Sequence, residues 1–108
     1  MGIVLSADGR FEWDDAKNIL NKEDHGFYFE EILEAFDDPF FLEAFDRDNS
    51  TIEEVRWKGI ASFARRIYFF ISYTERENRT RIISARLAES PEKERYDENY
   101  QQQVAGYE

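Results

Sequence analysis

Four residues of this chain have types that do proton-transfer and phosphate chemistry together: His25, the pair Glu54 and Arg56, and Arg86 late in an apolar run. What is missing narrows the field. With no cysteine and one histidine, thiolate sites, disulfides and metal sites built from several imidazoles are excluded. There is no glycine-rich nucleotide loop and no GxSxG serine elbow. Asp46-Arg47-Asp48-Asn49-Ser50 comes nearest to a calcium loop, but it lacks that loop's third ligand position and its glycine. Chemistry without a metal or cofactor remains. Cleaving RNA in that way needs one group to take the 2′-hydroxyl proton, another to protonate the leaving oxygen, and cations to stabilise the charged phosphorane. His25 and Glu54 are of the first two kinds, and Arg56 and Arg86 of the third.

Each of these residues also fits a plain structural role. His25 stands just before Gly26, where an imidazolium interacts favourably with the end of a helix dipole. Glu54 and Arg56 on one strand face form at most a surface ion pair, worth about 0–1 kcal/mol. Arg86 suits a salt bridge to one of the many carboxylates as well as a phosphate. Tyr68 and Phe70 suit sheet packing as well as base stacking.

The element that must position these groups is a β-hairpin between Arg65 and Leu87. Arg66–Thr74 and Thr80–Leu87 are rich in β-branched and aromatic residues and flank a polar connection, Glu75–Arg79. A loop centred on Glu77 puts Tyr73 opposite Arg81 and Ile71 opposite Ile83. Alternation then gathers Ile67, Phe69, Ile71, Ile83, Ala85 and Leu87 on a buried face. Arg66, Tyr68, Phe70, Ser72, Ile82, Ser84 and Arg86 form the other face, a polar and aromatic surface with no helix expected over it. In this register Arg86 sits opposite Tyr68 near Arg66, so a phosphate meets two guanidiniums and the Ser84 hydroxyl. Arg76 and Arg81 complete the candidate RNA-binding set of Arg66, Tyr68, Arg76, Arg81 and Ser84.

The remaining elements follow in chain order. Gly2–Trp13 reads as an extended arm turning at Asp8-Gly9. Asp14 is a good N-cap for a helix ending near Gly26, with Ala16, Ile19 and Leu20 as its apolar stripe. Phe29, Ile32, Leu33 and Phe36 have the spacing of a second helix, stopped by Asp37-Asp38-Pro39. Phe40–Phe45 and the stretch from Ile52 to Lys58 read as strands, with Glu54, Arg56 and Lys58 on one face, Val55 and Trp57 on the other, and the chain turning after Gly59. A last helix begins at Ser90-Pro91-Glu92 and carries Tyr96, Tyr100 and Val104 on one stripe.

Composition bounds the rest. The 108 residues suit one folded domain spanning 1–108, being 42% hydrophobic and 17% aromatic. No stretch is long and apolar enough for a signal peptide or a membrane span, so a cytoplasmic protein is expected. The net charge of −10 argues against nucleic acid, but it is unevenly spread. From Arg56 to Arg86 there are eight basic residues, including Lys58 and Arg65, against two acids. That segment is +6 and the remainder −16.

Phe11-Glu12-Trp13-Asp14, Lys17, Asn21, His25-Gly26, Phe29-Glu30-Glu31, Phe36-Asp37-Asp38-Pro39, Tyr73-Thr74-Glu75-Arg76 and Arg81-Ile82-Ile83-Ser84-Ala85-Arg86 together resemble the BrnT family. The resemblance runs from Phe11 to about Tyr96. It implies a toxin of a bacterial type II toxin–antitoxin pair, a metal-independent endoribonuclease neutralised by a ribbon-helix-helix antitoxin, BrnA, encoded beside it. The fold it implies is RelE/ParE-like α+β, with two N-terminal helices, a four-stranded antiparallel sheet and a C-terminal helix, which the pattern reading reaches as well. This chain has Asp24 where the family commonly carries a lysine before His-Gly. Two alternatives are a weakened or non-catalytic relative acting through protein contacts, and a ParE-like poison of a protein target.

Overall fold

The computed structural model describes residues 2–64 and 66–106. Arg65 of the basic run, and Tyr107 and Glu108 of the expected frayed end, lie outside the described residues. The strands are β1 (Ile3–Leu5), β2 (Phe11–Asp14), β3 (Leu42–Phe45), β4 (Arg56–Phe63), β5 (Ile67–Arg76) and β6 (Arg79–Leu87). The α-helices are α1 (Asp15–His25) and α2 (Ser90–Ala105), and Phe29–Asp37 is a 3-10 helix.

The strands form one six-stranded sheet in the order β1-β2-β6-β5-β4-β3, with β2 parallel to β6 and the other neighbours antiparallel. This corrects the expected four-stranded antiparallel sheet with two N-terminal α-helices. The N-terminal arm is not a loose extension, because Phe11 and Trp13 are core residues. Burying them brings the arm's backbone beside β6, where strand pairing satisfies it. The 3-10 turn stacks Phe29, Ile32 and Ala35 at three-residue spacing, and all three are 0% exposed. The same residues allow an α-helical reading, but the three-residue line is what the sheet buries.

On the face that these residues cover, Phe11, Trp13, Ala61, Phe69, Ile71, Tyr73, Ile82 and Ala85 close a dry core. Helix α1 contributes to it unexpectedly. Its ends are as read: Asp14 accepts a hydrogen bond from the Lys17 N–H, and Gly26 takes the left-handed conformation, φ 88°, that ends the helix. Its buried residues, however, are Asn18 and Asn21, while Ile19 and Leu20 are 48% and 54% exposed. The asparagines are inside because they serve backbone groups. Asn18 Oδ1 accepts from the Phe29 N–H at 2.7 Å, and Asn21 both donates to the Ala85 carbonyl at 2.8 Å and accepts from the Ala85 N–H at 3.0 Å.

The hairpin of β5 and β6 lies at the centre of the sheet, but its turn is tighter than expected. Arg76 pairs with Arg79, and Glu77 and Asn78 make a two-residue turn with φ of 48° and 70°, the pattern of a type I′ turn. A bulge then inserts Ile83: Tyr73 pairs with Ile82, but Ser72 pairs with Ser84. The tighter turn already puts Ile82 opposite Tyr73 and into the core, and turn and bulge together place Arg86 opposite Phe70 instead of Tyr68. Strand β4 also continues past Gly59 to Phe63, because Gly59 has no side chain to clash with the Phe41 ring packed upon it.

The opposite face of the hairpin is not open along its length. Helix α2 lies over one half, burying Tyr96 against Ile60 and Ala88, with Tyr68, Phe70 and Tyr100 packed around them. The Tyr96 hydroxyl donates to Asp38 at 2.6 Å and lies 3.0 Å from Ser62 Oγ, and the Tyr68 hydroxyl donates to Asp97 at 2.8 Å. Burial, together with the hydrogen bond to Asp38, pushes the Tyr96 hydroxyl well above its ordinary pKa.

Candidate functional site

Register alone builds the open half of the α2 face. One cross-strand row is Lys58–Ser72–Ser84, since Ser72 pairs with Lys58 on one side and Ser84 on the other. The row toward α2 is Ile60–Phe70–Arg86, and the row away from it is Arg56–Thr74–Arg81–Glu12. Four cations thus share a surface whose backbone is fixed by sheet hydrogen bonds.

Their electrostatic states differ. Arg81 is clamped to Glu12 through its Nε, at 2.6 Å, and its terminal nitrogen. Arg56 donates to Glu54 at 2.8 Å, and Arg76 approaches the same carboxylate at 3.8 Å. Arg86 forks onto Glu92 with two bonds of 2.8 Å, and its guanidinium lies over the Phe70 ring, 4.2 Å from the centroid. Among the described residues Lys58 has no carboxylate within ion-pairing distance.

Arg86 therefore has the structural partner that its sequence context allowed. Glu92 also accepts from the Glu89 N–H at 2.7 Å, so one carboxylate caps α2 and ties it to β6. The hydrogen bond to Arg86 holds the Glu92 carboxyl below its usual range, and Glu92 raises Arg86 in turn. The fork leaves the Arg86 Nε–H uncommitted among the described residues. Tyr68 and Phe70 act as packing under α2 instead of a free stacking platform.

The candidate residues divide among three places. Glu54 and Arg76 line an open cavity of about 220 Å³ with Glu53 and Glu75, an acid-rich place that suits an anion poorly. Arg66 lies in the turn before β5, about 13 Å along the strand from Phe70, so the two-guanidinium site near Arg86 does not form. His25 and Ser84 come together: with Lys17, Asn21 and Asp24 they line a groove of about 260 Å³ at the outer edge of β6. Glu54 lies just before β4, two strand spacings or at least about 10 Å from this edge, and does not share a phosphate with His25.

Lys58, Lys17 and Asp24 were not singled out from sequence as site residues. Lys58 was visible as one of three charged residues alternating on a strand, and only the pairing of that strand with Ser72 gives it a role. Lys17, Asp24 and His25 are joined through Asn21, which stands four residues after Lys17 and three and four before Asp24 and His25, spacings that share a helix side. Among the described residues no cluster of three or more histidine or acidic side chains is placed to hold a metal ion, and no helix is long and apolar enough to cross a membrane.

Comparison with known proteins sets this geometry in a family. No protein in a curated set matches the chain. The 1.1 Å crystal structure of the Brucella abortus ribonuclease toxin BrnT matches it with a TM-score of 0.54 and 21% identity, covering 72% of this chain and 94% of that one, a likeness of fold. Residues 13–92 match the family described as "Ribonuclease toxin, BrnT, of type II toxin-antitoxin system". A match over that much of the sequence places the chain in the BrnT family of type II toxin–antitoxin toxins.

Proposed function

We propose that this toxin is a metal-independent endoribonuclease whose reacting phosphate sits at the outer edge of β6. The observation that carries the reading is the shared groove of His25, Asp24, Lys17 and Ser84. It brings an imidazole, a carboxylate, a cation and a hydroxyl to one place, next to the row that leads through Ser72 to Lys58. The carboxylate takes the 2′-hydroxyl proton as the 2′-oxygen attacks phosphorus. The imidazolium of His25 then protonates the departing 5′-oxygen, leaving a 2′,3′-cyclic phosphate. Lys17 and the uncommitted N–H of Arg86 stabilise charge on the phosphorane oxygens, and Ser84 positions them. Arg56 and Arg81 extend the polar surface along which the strand runs, and the acid-rich cavity of Glu54 and Arg76 lies off its path.

A type II toxin has an antitoxin partner. In this reading it is a small ribbon-helix-helix protein, similar to BrnA and encoded nearby, that covers the cationic rows in the cytoplasm and so blocks RNA. The test is incubation of the purified protein with cellular RNA in excess chelator. Wild type should yield cyclic-phosphate ends, and His25→Ala should slow cleavage about a hundredfold or more. Growth arrest on induction with RNA left intact would replace this reading by one in which the target is a protein.

A further inference from the structure

Beside the open rows, β3, β4 and α2 enclose a second cleft of about 170 Å³. Leu42, Ile60 and Phe70 give it an apolar lining, and Lys58 and Arg95 bring two cations to it. Neither cation has a carboxylate within ion-pairing distance among the described residues. Glu43 also lines the cleft, but its carboxylate is taken by the Tyr73 hydroxyl. The volume falls below the roughly 300–1,000 Å³ of drug-sized ligand sites and suits a single ring system.

We infer that this cleft is a nucleobase subsite: it takes the base of one nucleotide of the RNA, with that nucleotide's phosphate on Lys58 and Arg95. The identification of RNA rests on the ribonuclease reading above; the chemistry of an apolar slot with two unpaired cations rests on the cleft itself. One feature ties the cleft to Arg86 and a second ties it to the groove at β6. Phe70 is a wall of the cleft and also carries the Arg86 guanidinium over its ring. Lys58 lines the cleft and also ends the row that begins at Ser84, which lines the His25 groove. A strand whose scissile phosphate lies at the β6 edge therefore brings a neighbouring nucleotide to the cleft. The arrangement reads the base by its apolar faces and the phosphate by charge, and it leaves the His25 groove free for chemistry.

The experiment titrates the intact protein with the four nucleoside 5′-monophosphates and with inorganic phosphate, following chemical shifts of Leu42, Ile60 and Phe70. At least one nucleotide should bind about tenfold tighter than phosphate, and Lys58→Met or Arg95→Gln should weaken it by about the same factor. Ala44→Phe fills the cleft from an exposed edge-strand position, where an aromatic residue is well tolerated. It should abolish the base-dependent gain while phosphate still binds. Nucleotides that bind no tighter than phosphate, or that shift no cleft residue, overturn the subsite. Unchanged nucleotide affinity in a folded Ala44→Phe protein also overturns it. Cleavage of RNA by wild type alongside either result would leave the ribonuclease reading standing. Base-dependent binding without RNA cleavage would keep the subsite and remove the nuclease.

Discussion

The two faces of the sheet are built on opposite principles. The face under α1 and the 3-10 helix is closed, aromatic and dry, with Trp13, Phe29, Ile32 and Ile71 all below 2% exposed. The face under α2 is half covered, and it is fastened by polar links that each hold one edge of the helix: Arg86 to Glu92, Tyr96 to Asp38 and Tyr68 to Asp97. Apolar burial on the first face is non-directional and supplies stability. Polar links on the second are directional, which suits a surface that must present charged groups in a fixed arrangement.

That contrast breaks most visibly under truncation of the closed face. Phe29→Ala should lower the free energy of unfolding by about 3–5 kcal/mol in urea titrations, because it removes a fully buried ring and leaves a cavity in the core. A loss below about 1 kcal/mol would mean that the two faces are not different in kind. Arg86→Ala comes next. It should slow RNA cleavage about a hundredfold, equivalent to roughly 3 kcal/mol in the barrier, and Arg86→Lys should not restore it, since an ammonium has no planar fork. Full cleavage by the folded Arg86→Ala protein would confine Arg86 to its bond with Glu92.

Tyr96→Phe should cost about 1–2 kcal/mol, because it removes the hydroxyl between Asp38 and Ser62 but keeps the ring. The smallest effect is a pH dependence confined to α2. Glu92 is held below its ordinary value of 4.5, chiefly by the hydrogen bond from Arg86, while burial works the other way. A carboxyl depressed in the folded state contributes stability that is present above the unfolded value and lost as pH falls through the folded one. Amides of α2 should therefore exchange faster below about pH 4.5 while those of β5 do not, and Glu92→Gln should remove the difference. Acid loosening of both faces together would show that they unfold as one unit.

What was legible in the sequence was local chemistry. Asp14 and Gly26 fixed the ends of α1 because capping depends on a few neighbouring backbone groups. Residues that answer to distant partners were not legible. Ile19 and Leu20 looked like the inner stripe of α1, yet Asn18 and Asn21 take the interior because backbone groups at Phe29 and Ala85 need them. Gly59 looked like a turn and is instead the space filled by Phe41. The parallel pairing of β2 with β6 and the bulge at Ile83 are long-range choices that no short window encodes, and the bulge alone moved Arg86 by one register position. For the site, Arg86 stood out by type and position. Its partner Glu92 was hidden among acids that looked like a helix N-terminus, which it also is.

Asn21 has a wider consequence than its two hydrogen bonds to Ala85. Strand β2 pairs with β6 only from Thr80 to Ile82, so beyond that point the outer side of β6 has no neighbouring strand. An uncovered stretch of that kind is a template on which another chain can add itself, the usual beginning of aggregation. A single carboxamide stands in for the missing strand there, offering one donor and one acceptor to the same residue. His25 lies one helical turn further along α1, so the residue that seals the sheet against self-association also sets where the imidazole hangs beside it. Loss of that amide would expose a sticky edge and displace the histidine in one step, joining resistance to aggregation to the chemistry proposed for His25.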